Sequence, residues 1–525
     1  MLHTASSYRG MVTAPHHMAA QSGLDVLKDG GSAAEAAVAV AATLAVVYPH
    51  MNAIGGDSFW LVREPDGRLH GVHAVGGAAG KAELSLYKGL SAVPWRGPLA
   101  ANTVAGTISG WQAMLEGDVL PLSRILRDAI FYADDGVAVT EGGAAAAATK
   151  DADLRAVAGY GEVFRPAGRP LSVGDRLKQP ALAQTLRRLV RDGLEGFYRG
   201  DLARDIAADL DAAGSPVSAT DLEAHAAGRP AALQTRLRGA TLYNAAPPTQ
   251  GFASLLTLAL YDRLTGPKLK DIGEFDHIHG LVEATKRAFL LRDRHIGDPL
   301  HMDFDPQALL DDGAALDALA ARIDMQRALP WPQPASGGDT VWFGVIDGEG
   351  RAVSAIQSIY FEFGSGLVLP QTGIVWQNRG ASFRLAESGW NALKPGRKPF
   401  HTLNPAMAVF DDGRVMPYGA MGGEGQPQTQ AALFTRYAGG MGLQAAITAP
   451  RWLLGRTWGE DSVTLKLEDR FDPALYDALR EAGHAVERVA PFTSVMGHAG
   501  ALVRHADGRI DGATDPRSDG GVAAW

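Results

Sequence analysis

A threonine that opens a β-strand behind a pair of glycines becomes a nucleophile of a particular kind if the chain is broken just before it. Thr340 stands in such a place, within Ser336-Gly-Gly-Asp-Thr340-Val-Trp-Phe-Gly-Val-Ile-Asp347. Val341, Phe343 and Val345 alternate onto one face, Asp347-Gly-Glu-Gly350 reads as a turn, and a return strand starts at Arg351. The preceding Trp331-Pro-Gln-Pro-Ala-Ser-Gly-Gly is rich in proline and glycine and reads as an exposed linker. A cut between Asp339 and Thr340 would put a free α-amine beside the threonine hydroxyl on a rigid strand end. With an ordinary pKa of about 7.7–8.0, that amine can take the hydroxyl proton near neutral pH. Without the cut, the same residues begin a plain β-hairpin.

Other stretches carry residue types that could do chemistry. In Gly419-Ala-Met-Gly-Gly-Glu-Gly-Gln-Pro-Gln428 there is no Lys-Ser/Thr pair, which excludes a nucleotide P-loop. Its Met421-Gly-Gly423 can aim successive backbone N–H groups into a cavity, as an oxyanion requires, although such a cluster is also an ordinary turn. Gly106 and Gly110, four apart at a helix start, suit close packing better than anion binding. His277 and His279 are two apart and fall on different sides of a helix that continues through Glu283, Lys286 and Arg287. Metal ligation would need i,i+4 spacing and a third ligand, so the pattern reads as a solvated helix face, and no metal is expected.

The elements that must hold these residues are strands feeding helices. Gly10–Ala14 reads as a strand and Met18–Lys28 as a helix stopped by Gly30-Gly31; Ser32 and Glu35 then form a capping box for an alanine-rich helix over 33–47. Gly55-Gly-Asp-Ser58 leads into a strand over 59–63, with another from Leu69. Helical patterns fill 121–160, 181–229 and 252–265. Beyond the linker, Val353–Tyr360, Ile374–Gln377, Pro405–Phe410 and Val463–Leu467 are β-rich, giving an α/β or α+β pattern overall. A net charge of −9 over 525 residues, with no basic run of five, argues against nucleic-acid binding. The absence of cysteine excludes disulfides and thiolate catalysis. No basic start followed by an apolar core appears at the N-terminus, and the apolar run Ala33–Tyr48 is too short to span a bilayer, so a cytoplasmic protein without membrane contact is expected.

Several motifs occur together and in order: Gly10-Met-Val-Thr-Ala, Gly23-Leu-Asp-Val-Leu-Lys-Asp-Gly-Gly-Ser-Ala-Ala-Glu, Gly55-Gly-Asp, Val104-Ala-Gly-Thr-Ile-Ser-Gly, Ala246-Pro-Pro-Thr-Gln-Gly251, Glu283-Ala-Thr-Lys-Arg, Gly297-Asp-Pro299, Pro395-Gly-Arg-Lys-Pro399 and Met421-Gly-Gly423. Through them nearly the whole chain resembles the γ-glutamyltranspeptidase family of N-terminal nucleophile hydrolases. The resemblance implies an α+β fold, a four-layer αββα sandwich made as a precursor and cut at Asp339–Thr340. Residues 1–339 would form the large subunit and 340–525 the small one, and processed units could pair as a dimer. It further implies Thr340 as nucleophile of both cleavage and turnover, Ser358 as its hydroxyl partner, Gly422 and Gly423 as oxyanion donors, and no cofactor.

The substrate positions depart from the family pattern. The early region offers no arginine for a donor carboxylate and at best Lys81; Ser382 stands where an acid would meet the donor's ammonium. Arg379 is introduced, Tyr360 replaces an asparagine, and His401-Thr402 replaces a serine pair. Losing an acid and gaining an arginine favours a carboxylate over an ammonium, unless an internal acid such as Glu424 answers Arg379. The expected substrate is a small amide bearing a carboxylate. Oxamate, which has no α-amine, fits Arg379, Tyr360, His401, Thr402 and Ser382. The alternatives are a γ-glutamyl enzyme acting on glutathione and a catalytically silent relative that binds or scaffolds.

Overall fold

Two antiparallel sheets lie face to face, and the residues that alternate along each strand decide what lies between and outside them. The computed structural model describes residues 3–117, 119–331, 339–455 and 462–525. The linker read at 331–338 lies, from 332 on, outside them. One sheet runs in the order Gly521–Ala524, Gly10–Ala14, Asp339–Asp347, Ala352–Tyr360, Asp57–Arg63, Leu69–Ala74. The other runs Ala5–Ser7, Ile510–Thr514, His498–Arg504, Val415–Met421, Ala406–Phe410, Ala240–Asn244, Leu233–Leu237. Strands from both sides of residue 340 thus share each sheet.

Along Asp339–Asp347 the odd residues Val341, Phe343 and Val345 join a core with the helices His17–Lys28 and Ala33–Val47. The even-numbered Ile346 faces the other way and packs with Met11, Leu61, Met407, Val415 and Leu502 between the sheets. On the outer face of the second sheet, helices Gly251–Thr265, Glu274–His295 and Gln426–Ala438 complete the αββα order. The helix Ala33–Val47 is buried along its whole length because alanine lets its neighbours approach on every side. Its N-terminus carries the expected capping box, and Asp347 Oδ2 accepts the Ala33 N–H at 2.9 Å, tying the far end of the Thr340 strand to the helix.

Most sequence expectations fall within a residue or two of the observed elements. The β-rich stretch 374–377 is an exception: it forms isolated bridges, Val375 with Val368 and Trp376 with Gly55, because its polar and ring groups are spent on loops. The helical pattern over 121–160 is broken by a two-residue strand, Val137–Ala138, paired with Arg176–Leu177. The face containing His279, Glu283 and Lys286 is buried and not solvated. Among the described residues no helix is long and apolar enough to cross a membrane.

The two sheets are registered by Trp342. Its indole N–H donates to Ser354 Oγ at 3.0 Å, and its ring lies over Gly419 and Gly500 of the opposite sheet. A methyl group added at Gly419 would sit 2.2 Å from the Trp342 ring. Gly419→Ala is therefore expected to destabilise the fold by about 1–3 kcal/mol, read as a lower denaturant midpoint. An unchanged midpoint would contradict this packing.

Candidate active site

At the start of its strand Thr340 meets an irregularity that re-aims its neighbours. Val341 pairs with Gln357 and Asp339 with Tyr360, so three steps on one strand answer two on the other, a β-bulge. Tyr360 leaves it with φ 82°, a backbone conformation uncommon for a bulky residue. Within the bulge Thr340 Oγ1 donates to Ser358 Oγ at 3.3 Å, and the Tyr360 N–H donates to the same oxygen at 2.8 Å. Ser358 in turn lies opposite Asp57 on the next strand. Thr340, Ser358 and Asp57 therefore form a row across three strands, on the face turned to the other sheet, and all three are buried. Ser358 and Asp57 can sit so closely only because Gly56 precedes Asp57: a Cβ there would lie 2.1 Å from the Ser358 carbonyl.

Opposite this row the strand Val415–Met421 ends in Gly422 and Gly423, at φ 138° and 49°. Both angles lie in the region that favours glycine. The carbonyls of both glycines are occupied: Gly425 N–H bonds Gly422 and Gln250 Nε2 bonds Gly423, each at 2.7 Å. The same Gln250 amide donates to the Thr402 carbonyl at 2.6 Å and accepts from Arg292 at 2.9 Å; Arg292 also reaches Glu424 at 2.5 Å. Gln250 and Arg292 thus fasten the glycine loop to the His401-Thr402 segment.

Between these parts lies a buried cluster of charge. Arg379 opens a short 3-10 turn, Arg379–Ser382, is fully buried, and none of its three side-chain nitrogens has a hydrogen-bond partner among the described residues. Its guanidinium carbon stands 3.9 Å over the Tyr360 ring. Burial pulls its pKa down to about 10, Tyr360 and Asp57 opposing, which leaves it cationic at neutral pH. Asp57 Oδ1 accepts N–H bonds from Gly106 at 3.0 Å and Gly76 at 3.4 Å, while Oδ2 has no hydrogen-bond partner and lies 3.6 Å from His401 Nε2. Burial pushes the Asp57 carboxyl up to about 7 against the pull of Arg379. His401, buried and near Arg379, His73 and Lys398, is held well below the usual imidazole range and is neutral at pH 7.

Of the residues singled out in the sequence, Thr340, Ser358, Arg379, Tyr360, His401 and Thr402 are all buried in this region, and the Thr402 hydroxyl is also without a partner among the described residues. Ser382 is half-buried, with its hydroxyl directed to the Phe400 carbonyl at 3.5 Å and near the Asn391 amide at 3.4 Å. Lys81 is exposed. Glu424 does not answer Arg379, because it is bound by Arg292. Asp57, Gln250 and Arg292 were not anticipated as site residues, although Gly55-Gly-Asp57 and Ala246-Pro-Pro-Thr-Gln250 lie within the motifs noted above. Apart from the pocket, His279, Glu283 and His484 come within 4.8 Å of one another. Their atoms are already taken: His279 bonds His484 and the Asp324 carbonyl, and Glu283 bonds Lys286 and the Leu329 N–H. An ammonium on the carboxylate makes this an internal polar network and not a ligand set for a cation.

A sandwich of two antiparallel sheets between helices, with a threonine opening a central strand beside a hydroxyl partner and a glycine loop, defines the N-terminal nucleophile type of hydrolase. The family model for gamma-glutamyltranspeptidase matches residues 19–525, and the chain belongs to that family. An oxamate amidohydrolase proenzyme of Klebsiella pneumoniae is 55% identical over 526 residues, covering 99% of each chain. A glutathione hydrolase-like proenzyme of Bacillus subtilis is 41% identical over 514 residues and 97% of each. Among solved structures, cephalosporin acylase from Bacillus halodurans superposes with a TM-score of 0.91 at 33% identity, covering 100% of this chain and 97% of its own.

Gln250→Leu would strip a donor from two buried carbonyls and an acceptor from Arg292. The expected cost is about 1–3 kcal/mol for each buried partner left without its bond, measured by denaturant unfolding. A variant as stable as the wild type would show that Gln250 does not hold the loop.

Proposed function

We propose that the protein is made as a precursor, cuts itself between Asp339 and Thr340, and then hydrolyses the amide of a small carboxylate-bearing substrate, for which oxamate is the best fit. In the precursor Thr340 Oγ attacks the Asp339 carbonyl, the peptide C–N bond breaks, and water hydrolyses the resulting ester. Chains of residues 1–339 and 340–525 result, the second with a free amine at Thr340. In turnover that amine takes the hydroxyl proton, Thr340 Oγ attacks the substrate amide carbon, and Ser358 Oγ orients the nucleophile. Gly422 and Gly423 N–H groups receive the oxyanion. The amine passes its proton to the departing ammonia, and water releases the acyl group as a carboxylate.

The observation that carries the substrate assignment is Arg379: a buried guanidinium whose donors are unspent, stacked on Tyr360. Such a group is matched by a planar carboxylate with two acceptor oxygens. Oxamate offers that carboxylate next to the amide to be cut. A γ-glutamyl donor would also bring an α-ammonium, and Ser382 supplies no charge to receive it. The name of the Klebsiella relative supports the same choice.

Denaturing electrophoresis of purified protein should give two bands in place of one at 55.3 kDa, the smaller starting at Thr340 by N-terminal sequencing. Thr340→Ala should leave a single band. Ammonia release from oxamate should exceed turnover of a γ-glutamyl anilide by at least about 100-fold in kcat/KM. Equal or better turnover of the anilide contradicts the substrate assignment, and an uncut wild-type chain contradicts the nucleophile.

A further inference from the structure

Two charged side chains define the pocket, and they stand apart. Arg379 has no hydrogen bond and no carboxylate within ion-pairing distance among the described residues, and Asp57 Oδ2 is likewise unbonded. Around Asp57 are Ser358 from the neighbouring strand, Arg379 from the short turn, the Gln377 amide just before it and His401 from the loop after Phe400. Behind them lie the Tyr198 hydroxyl, His73 and Lys398. Arg379 is the cation that acts on Asp57 directly. With Asp57 ionised, the site sets one negative charge against Arg379, and the α-amine of processed Thr340, across Ser358 in the same row, is the other group that titrates near neutral pH.

A substrate carboxylate seated on Arg379 adds a second negative charge, and the Thr340 α-amine adds no lasting positive one, because it must be unprotonated to act as base. Two carboxylates around one guanidinium, away from water, cannot both remain ionised without a large penalty. We propose that Asp57 takes a proton from solvent as the substrate's carboxylate binds Arg379, so that the occupied pocket holds one anion, one cation and a neutral carboxylic acid. This rests on the reading of Arg379 as the carboxylate site and extends it to a proton-coupled specificity residue. The added proton has an acceptor at hand, since His401 is neutral and its Nε2 is 3.6 Å from Asp57 Oδ2.

The direction of the pH effect follows. Burial already holds the carboxyl at about 7 in the empty site, and a bound anion that takes up the Arg379 charge raises it further. Below that range Asp57 is protonated in both states and binding is independent of pH. Above it the free enzyme must gain a proton to bind, so affinity falls as pH rises. An asparagine at 57 has nothing to titrate and removes the dependence.

The test uses processed enzyme and glycolate, a monocarboxylate with no amide to cut. Titration calorimetry at pH 7.5 and 8 in buffers of different ionisation enthalpy counts protons. Wild type should take up between about half and one proton per glycolate, with Kd rising toward about tenfold per pH unit above pH 8. Asp57→Asn, once shown by its two chains to have folded and processed, should take up close to none, with a flat Kd. Zero uptake by the wild type, or equal uptake by Asp57→Asn, overturns the proposal while leaving the carboxylate site intact. No glycolate binding, or binding unchanged in Arg379→Met, overturns the carboxylate site and the proposal together.

Discussion

A guanidinium taken out of water without a hydrogen bond costs several kcal/mol, and an aromatic face returns only about 2 kcal/mol of it. Arg379 is in this position, fully buried over Tyr360. The surroundings hold it there. Trp376 and Gln377 donate to the Thr103 and Val104 carbonyls at 3.0 and 2.9 Å, and Asn378 binds both the Phe361 N–H at 3.0 Å and the Trp95 carbonyl at 2.8 Å. The backbone of 377 and 378 is further fixed to Gly55 and Ile359. This stitching leaves the side chain little freedom to turn toward a protein partner. The stability of the sandwich maintains a buried charge that has no hydrogen-bond partner among the described residues.

The sandwich also decides where the reactive groups converge. Thr340, Ser358 and Asp57 come from adjacent strands of one sheet, and the glycine loop ends a strand of the other. Trp342, two residues after Thr340, rests on Gly419, three residues before Gly422. One packing contact thus sets the spacing between the threonine and the N–H groups that would face its reaction. The bulge at Ser358–Tyr360 contributes the rest, turning Ser358 to Thr340 and placing the Tyr360 ring under Arg379. Ser358 and Tyr360, at one strand end, thus touch Thr340 and Arg379 respectively.

How much of this was legible in the sequence depends on the range of the interaction. Alternation at Val341, Phe343 and Val345, the Ser32–Glu35 cap and the glycines at 422 and 423 are local signals, and the elements they mark are present. Arg379 was visible as a departure from a family pattern; its burial without a hydrogen-bond partner among the described residues was not. Asp57, Gln250 and Arg292 were hidden because their partners lie far along the chain, as with Gln250 and Gly423, 173 positions apart. The polar face of the helix through His279 was misread for a related reason. Its partners, His484 and the carbonyls of Asp324 and Leu329, come from distant segments and turn charged residues into a buried network.

The central claim is that Arg379 selects a carboxylate beside the scissile amide. It is tested most directly by comparing oxamate with oxamide, which replaces the carboxylate by a neutral amide of nearly the same size. The account predicts a kcat/KM for oxamate at least about 100-fold higher in processed wild type, a preference that collapses in Arg379→Met. Comparable turnover of the two compounds by the wild type, or a preference that survives in Arg379→Met, would contradict it.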